Sequence, residues 1–185
     1  GAVSGGLIAP MYEDFESTTF PALTDPLKEW TIVNGASVKW AYSSVASHSK
    51  LGSLALPLKS IPSDQTYELI SPTIDFSSVP CKQLKFKYAY AKRYSTSKDQ
   101  LNVYVSKYCG DTWITKLQMD AAGVLPTTDS IYSSTFVPTA NDWKEVSVSL
   151  SSFTGQDNIL IKFEVITGNG NYLYLDDINV GCKFV

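Results

Sequence analysis

Apolar residues alternate with polar ones along most of this chain, and that period-two pattern constrains the fold more than any other feature of the sequence. Successive side chains of a β-strand point to opposite faces, so alternation is typical of strands, whereas an amphipathic helix repeats its apolar residues every three or four positions. Helical spacing is nearly absent here. The sequence therefore predicts an all-β protein.

Eleven segments carry the strand pattern, and clusters of Pro, Gly, Ser and Asp, which favour turns, separate them. So many short strands in one domain require two packed sheets. We therefore predict a two-sheet antiparallel β-sandwich with jelly-roll topology. The predicted strands are 11–16, 30–34, 38–42, 52–58, 67–70, 82–91, 100–107, 113–119, 143–150, 159–166 and 172–180.

Length and charge limit the number of domains and the classes of partner. A chain of 185 residues with 44% hydrophobic content suits one sizeable core. We predict a linker or cloning remnant at 1–10 and a single jelly-roll domain at 11–185. The net charge of -3, with Arg93 as the one arginine, argues against nucleic acid, because phosphate neutralisation needs a concentrated basic face. No apolar run approaches the roughly 20 residues that cross a bilayer, so no membrane span is predicted.

Three cysteines leave the disulfide pattern open. If strands 82–91 and 100–107 form a hairpin, matching their apolar faces places Phe86 opposite Val105. That register brings Cys81 close to Cys109, and we predict a disulfide between them. The alternative is that all three cysteines, Cys182 included, are unpaired core residues.

Four segments, taken in order, resemble a known family. The match extends over nearly the whole chain, from about residue 12 to 180. The first segment is Asp14-Phe15-Glu16-Ser17 followed by 30–34, and the second is Leu69-Ile70-Ser71-Pro72-Thr73-Ile74-Asp75. The third is 103–106 with Gly110-Asp111-Thr112-Trp113, and the fourth is Tyr174-Leu175-Asp176-Asp177-Ile178. Their order and spacing resemble the cleaved-adhesin, or choice-of-anchor, jelly rolls of bacterial surface proteins. Those domains are related to gingipain adhesin domains and, more distantly, to MAM domains.

The resemblance implies a galactose-binding-like sandwich that serves as a non-catalytic adhesin or accessory module. It also implies a larger secreted or surface-attached bacterial protein, in which adjacent domains of the parent chain are partners. A metalloprotease or another hydrolase often precedes such a module.

Two acidic clusters predict a metal site. Asp14 and Glu16 lie near the start of the chain, and Asp176 and Asp177 lie near its end. First and last strands of a jelly roll commonly run side by side, and carboxylates brought together repel unless a cation binds between them. Related jelly rolls hold a structural calcium at this place, and calcium accepts carboxylate and carbonyl oxygens. We predict these four residues as calcium ligands; the alternative is that they are solvated carboxylates in turns.

Catalytic schemes find less support. A glycosidase needs two carboxyl groups across a substrate cleft, but the order Glu13-Asp14-Phe15-Glu16 breaks the alternation that would point its acids into one. His48 is the only histidine, in a polar Ser-His-Ser setting that predicts a solvent-facing ring. The segment 106–113 resembles an Asp-box hairpin, which is a turn and not a catalytic site. We predict that the protein is not an enzyme.

Three side chains are candidates for contact with a ligand. Tyr104 lies on the strand face opposite Val103 and Val105, so its ring is predicted to point outward. Arg93 and Tyr94 lie in a loop that offers a second exposed aromatic and basic site. Sugar rings dock on exposed aromatic faces, but adhesion to a protein fits the same composition. The partner is therefore left open between a glycan and a host or other extracellular protein.

Overall fold

The structure is a computed structural model that describes residues 6–22, 25–34, 37–107 and 110–185. Four single-turn 3₁₀ helices lie in these ranges, at Pro26–Lys28, Leu58–Ser60, Ala140–Asp142 and Ser151–Phe153. The strands in the same ranges are β1 (Leu7–Ile8), β2 (Met11–Glu13), β3 (Thr31–Val33), β4 (Ala41–Ser43), β5 (Ser53–Leu56), β6 (Thr66–Ile70), β7 (Ile74–Asp75), β8 (Gln83–Lys92), β9 (Gln100–Ser106), β10 (Ile114–Asp120), β11 (Lys144–Ser149), β12 (Leu160–Ile166) and β13 (Gly170–Val180).

The all-β prediction is confirmed, and each of the eleven predicted segments overlaps a strand. The two strands that the pattern missed, β1 and β7, have two residues each, which is too short for alternation to register. They pair with each other in parallel, Leu7 opposite Ile74. Because Leu7 and Ile8 pair in this way and Ala9 is buried, folded structure begins before residue 11, where the sequence placed the start of the domain.

Two antiparallel sheets form the sandwich. The five-stranded sheet has the order β10-β9-β12-β6-β3, and the six-stranded sheet has the order β11-β8-β13-β5-β4, with β2 also paired to β13. The pairing of β2 with β13 places Glu13 opposite Ile178 and Met11 opposite Val180. The two ends of the chain therefore run side by side, as the jelly-roll prediction requires.

The main core lies between the sheets and follows the predicted faces. The inward side of β8 carries fully or almost fully buried side chains, and so does the inward side of β9. Phe86 of the six-stranded sheet meets Phe163 of the five-stranded sheet edge to face, with ring centroids 5.1 Å apart. The buried side chains on these two inward sides are Leu84, Phe86, Tyr88, Tyr90, Leu101, Val103 and Val105.

The predicted hairpin between segments 82–91 and 100–107 is wrong. Strand β8 pairs with β11 and β13, whereas β9 pairs with β10 and β12, so the two strands belong to different sheets. Their apolar faces contribute to the same core cluster between the sheets, but the two strands share no ladder. Alternation predicts which face of a strand is buried, but it does not distinguish pairing within one sheet from packing across the core.

The predicted Cys81–Cys109 disulfide is also wrong, because Cys81 is bonded to Cys182, with 5.6 Å between the two Cα atoms. The bond joins the segment before β8 to the segment after β13, and these are neighbouring strands. Cys109 itself lies outside the described residues.

A second, smaller cluster covers the outer face of the six-stranded sheet. Phe136 and Trp143 pack there against Ala89, Ala91 and Tyr174. Hydrogen bonds fix the covering segment: the Tyr174 hydroxyl donates to the Phe136 carbonyl at 2.7 Å, and the Asn171 side chain accepts from the Phe136 amide at 2.8 Å. The outer faces of the two sheets therefore differ, because the segment around 132–143 shields one of them.

Candidate functional site

The loop between β4 and β5 is held by two carboxylates from β13. Asp176 is fully buried, and its Oδ2 accepts backbone hydrogen bonds from His48 at 2.8 Å and Ser49 at 3.2 Å. Its Oδ1 accepts from the backbone of Asp177 at 2.8 Å. Three N–H donors therefore surround one carboxylate, which stabilises its ionised form.

Asp177 occupies a bulge in β13. Its φ of 50° and the register shift between β13 and β8 at this point turn its side chain toward the same loop. The carboxylate accepts hydrogen bonds from the hydroxyls of Tyr12 and Ser49. His48 Nδ1 lies 2.6 Å from its second oxygen.

The adjacent carboxylates differ in their affinity for a proton. Burial, followed by the charge of Asp177, raises the pKa of Asp176 to about 7. Burial also opposes ionisation of Asp177, but hydrogen bonds from Ser49, Tyr12 and His48 outweigh it and lower the pKa of Asp177. Burial and the hydrogen bond to Asp177 raise the pKa of the Tyr12 hydroxyl. Asp177 is therefore the member of the pair that carries the negative charge most firmly.

The N-terminal carboxylates contact the next part of the same loop. Lys50 Nζ lies 2.6 Å from Asp14 Oδ2, and the Glu16 carboxylate accepts from the backbone N–H groups of Leu51 and Gly52 at 3.1 and 3.3 Å. The first and last strands pair as predicted, and loop 48–52 contacts both acidic pairs.

The oxygen atoms of these side chains are of the type that calcium binds, but they are not arranged as a calcium site. Carboxylate and hydroxyl oxygens are hard ligands of the type that calcium prefers. Among the described residues, however, no group of three or more acidic, histidine or cysteine side chains is arranged to hold a metal ion. Lys50 and the loop N–H groups occupy the carboxylates instead. Calcium binding stays a prediction.

The hydrogen bonds of His48 do not form a catalytic triad. In a triad the serine hydroxyl donates to the imidazole, which is oriented by the carboxylate. Here the Ser49 hydroxyl and the His48 ring both contact Asp177. His48 is exposed, as predicted, and one edge of its side chain packs against the Trp143 ring.

The outer face of the five-stranded sheet, which we call the open face, carries two cross-strand rows. Their members are exposed or half-buried except for the buried Asn102, and their strand neighbours Val103, Phe163 and Leu69 are fully buried. The first row is Thr115, Tyr104, Lys162, Ile70 and Thr31; the second is Gln118, Asn102, Glu164, Glu68 and Val33. Tyr104 therefore points outward, as predicted.

Lys162 lies at the centre of the open face. Its Nζ is 4.3 Å from the ring centroid of Trp113 and 5.1 Å from that of Tyr104, distances at which a cation is attracted by an aromatic ring. The same ammonium group lies 3.2 Å from Glu68 Oε2. Trp113 itself follows a turn in which Gly110 has a φ of 89° and donates to Ser106 Oγ at 2.9 Å, as the Asp-box-like pattern predicts.

Two glutamates face each other on the open face. Glu164 lies directly opposite Glu68, a placement in which like charges repel. The charge of each carboxylate is stabilised by its own partners. Lys162 pairs with Glu68, and Glu164 Oε1 accepts from Asn102 Nδ2 at 3.1 Å and from the Tyr104 hydroxyl at 3.2 Å. Sequence reasoning found Tyr104 but missed Lys162, Glu68 and Glu164, because only strand pairing brings them together.

The Arg93–Tyr94 loop forms a separate exposed site. The Arg93 guanidinium lies 5.1 Å from the Tyr94 ring centroid and donates to the Lys59 carbonyl at 3.2 Å. Tyr94 is 48% exposed. The hydroxyl of Ser97 accepts from both backbone amides of the loop. These contacts hold Arg93 against the protein surface, and Tyr94 is the accessible aromatic ring of this loop.

A cleft of about 460 Å³ opens beside the covering segment. Its walls include Lys92, Lys144, and the exposed apolar side chains Val124 and Ile131. Lys144 Nζ donates to the Pro126 carbonyl at 3.1 Å. The cleft is mixed in polarity, and none of its lining residues belongs to the two rows of the open face.

The fold and the pairing of first and last strands define a jelly-roll β-sandwich of the type found in adhesin domains. A family model described as MAM domain, meprin/A5/mu matches residues 14–183. The chain belongs to the MAM domain family. No curated protein sequence matches it, and no helix among the described residues is long and apolar enough to span a membrane.

Solved structures extend the comparison. The K1 cleaved adhesin domain of Lys-gingipain from Porphyromonas gingivalis W83 is similar with a TM-score of 0.63 at 14% identity, over 94% of this chain and 98% of that one. The K2 domain of Lys-gingipain gives 0.60 at 20%, over 93% and 99%. TmCBM61, solved in complex with β-1,4-galactotriose, gives 0.56 at 13%, over 92% and 94%. The predicted adhesin-type jelly roll is confirmed.

Proposed function

We propose that this protein is a non-catalytic binding module, an adhesin or accessory domain of a larger secreted or surface-attached bacterial protein. The observation that supports this most directly is the difference between the two sheets. Phe136 and Trp143 close the outer face of one, whereas the open face of the other presents aromatic and charged side chains together. Surfaces that combine accessible aromatic and charged side chains are typical of ligand-binding sites.

The hydrogen bonding of the polar groups supports binding in preference to catalysis. Asp176 and Asp177 are engaged by backbone and hydroxyl donors, and the His48 ring has Asp177 as its hydrogen-bond partner among the described residues. These carboxylates hold the β4–β5 loop in place. Their role in this proposal is structural.

The disulfide supports an extracellular location. Structural disulfides persist in oxidising compartments and are rare in the cytosol, and Cys81–Cys182 joins the segments that flank two neighbouring strands. The alternative function is a carbohydrate-binding module attached to a hydrolase, and the shared fold of TmCBM61 is compatible with it.

The binding role is tested with the protein immobilised and presented to polysaccharides and to purified extracellular proteins. We expect saturable, reversible binding without chemical change of the ligand, because the open face offers contacts but no activated nucleophile. Lys162→Ala should weaken binding about tenfold or more, since it removes the cation at the centre of the face.

The matched control is Lys87→Ala, which breaks an ion pair with Glu145 on the other sheet and should bind like the unmodified protein. Turnover of a ligand, or equal binding by both lysine variants, would contradict the proposed function.

We also propose that calcium binds at the loop held by Asp14, Glu16, Asp176 and Asp177, and that it stabilises the fold. An ion that binds only the native state raises stability by about 2.7 kcal/mol at a concentration a hundred times its Kd. Calcium should therefore raise the Tm and a chelator should lower it, as measured by calorimetry. Magnesium, which requires a stricter octahedral geometry, is the control. A Tm that neither calcium nor chelator changes would mean that Lys50 serves as the counter-charge instead.

A further inference from the structure

We propose that the open face binds an uncharged polysaccharide, which lies across the strands over Trp113, Tyr104 and Lys162. This deepens the proposed binding function and rests on it. The two cross-strand rows run over five strands, which places their ends roughly 19 Å apart at the usual strand spacing. That length accommodates several consecutive sugar rings.

The aromatic and polar groups of the face match what a sugar ring presents. Sugar rings have apolar C–H surfaces that contact aromatic rings and hydroxyls that both donate and accept hydrogen bonds. Trp113 and Tyr104 are half-buried and flank Lys162. Lys162 is a donor, and the neighbouring Glu68 and Glu164 are acceptors. The Tyr104 ring and both kinds of polar partner therefore occur within the two rows, and Trp113 lies beside them against Lys162.

The charge of the face selects against anionic polymers. Two carboxylates, Glu68 and Glu164, surround one ammonium group, Lys162, so the centre of the face carries a net negative charge. A uronic-acid or sulfated chain would bring further negative charge against it without a second cation in these two rows. Uncharged sugars meet no such cost.

A buried acceptor on this face lacks a partner. Asn102 is 2% exposed, its Nδ2 donates to Glu164 at 3.1 Å, and its Oδ1 has no hydrogen-bond donor among the described residues. Buried polar atoms of native proteins are almost always paired. The oxygen is covered by neighbouring side chains, so a ligand hydroxyl, or a water that it orders, would supply the missing donor once a covering side chain moves aside.

A protein partner fits these residues less well. The buried centre of a protein interface is depleted in Lys, Glu and Asp, whereas the centre of the open face consists of one lysine and two glutamates. Desolvating these charges against an apolar surface would cost free energy. Hydroxyl-rich ligands keep the same groups hydrogen-bonded.

Native gels that contain a soluble polysaccharide test the inference, with β-1,4-galactan, β-glucan and galactomannan as uncharged probes and polygalacturonate as the anionic probe. We expect at least one uncharged polymer to retard the protein and polygalacturonate not to. Tyr104→Ala and Trp113→Ala should each weaken the affinity about tenfold or more. Circular dichroism of both variants establishes that they fold.

Phe184→Ala is the matched control, because it removes an exposed aromatic ring outside the open face and should leave retardation unchanged. Retardation that is lost in Tyr94→Ala but kept in Tyr104→Ala and Trp113→Ala, retardation only by polygalacturonate, or no retardation by any polymer would each overturn the inference. If a purified protein binds instead and Lys162→Ala weakens it, the binding function stands while the sugar assignment fails. Release of reducing ends would mean that Glu68 and Glu164 act as a hydrolytic pair, and both proposals would fail.

Discussion

Replacing Cys182 with serine is expected to lower the free energy of unfolding by about 4 kcal/mol. The bond to Cys81 closes a loop with a sequence separation of 101 residues, and a cross-link that spans so long a loop removes much of the entropy of the unfolded chain. Urea unfolding followed by tryptophan fluorescence measures the change.

Reductant and the paired variant serve as controls for this prediction. Reductant should destabilise the unmodified protein to a similar extent and leave Cys182→Ser unchanged. The Cys81→Ser/Cys182→Ser double variant should be no less stable than Cys182→Ser, because one bond is lost in either case. A Cys182→Ser variant that keeps full stability and still responds to reductant would point to a different pairing.

Asp99→Ala is expected to cost about 3–5 kcal/mol of stability, because it leaves several buried polar groups without a partner. Asp99 is fully buried; its Oδ2 accepts from the Tyr90 hydroxyl and its Oδ1 from the Gly168 amide, both at 2.6 Å. Burial raises the pKa of this carboxyl. A Cβ atom on Gly170 would lie 2.3 Å from Asp99 Oδ2, so the turn into β13 is built closely around this side chain.

The surface residue Asp64 gives the matched control for this cluster. Its carboxylate pairs with Lys98 at 3.3 Å but is 71% exposed. Asp64→Asn removes the charge and keeps a residue that tolerates the φ of 63° at this position, so it should cost about 1 kcal/mol or less. Tyr90→Phe should cost less in the Asp99→Ala background than alone, because both partners of one hydrogen bond are then absent. Equal costs for the two aspartate variants would show that the buried cluster contributes little.

The first and last strands show how far local pattern and family resemblance reach. Alternation predicted strands at both ends of the chain, and the jelly-roll expectation that they pair is correct: Glu13 lies opposite Ile178. The partners of the acidic residues were not predictable. Asp177 turns toward the loop because β13 bulges there, and no pattern of residues in the sequence predicts that bulge.

The open face was only partly foreseeable. Tyr104 was predicted to point outward from its two apolar neighbours on the strand, which is local information. Its neighbour Lys162 is 58 positions away in the sequence, and Glu164 is 60 positions away. No local pattern in the sequence predicts that these side chains lie together. The Asn102 acceptor likewise becomes notable only once its burial is known.

Alternation along the chain predicts an all-β sandwich, eleven of the thirteen described strands, and the side chains that enter the core, because side-chain direction alternates within each strand. Three features follow only from the three-dimensional arrangement: β8 and β9 belong to different sheets, Cys81 bonds to Cys182, and an aromatic and charged constellation assembles on one open face. These features depend on the pairing of segments distant in sequence. Such pairing is fixed by the packing of the whole sandwich, which a local pattern does not encode.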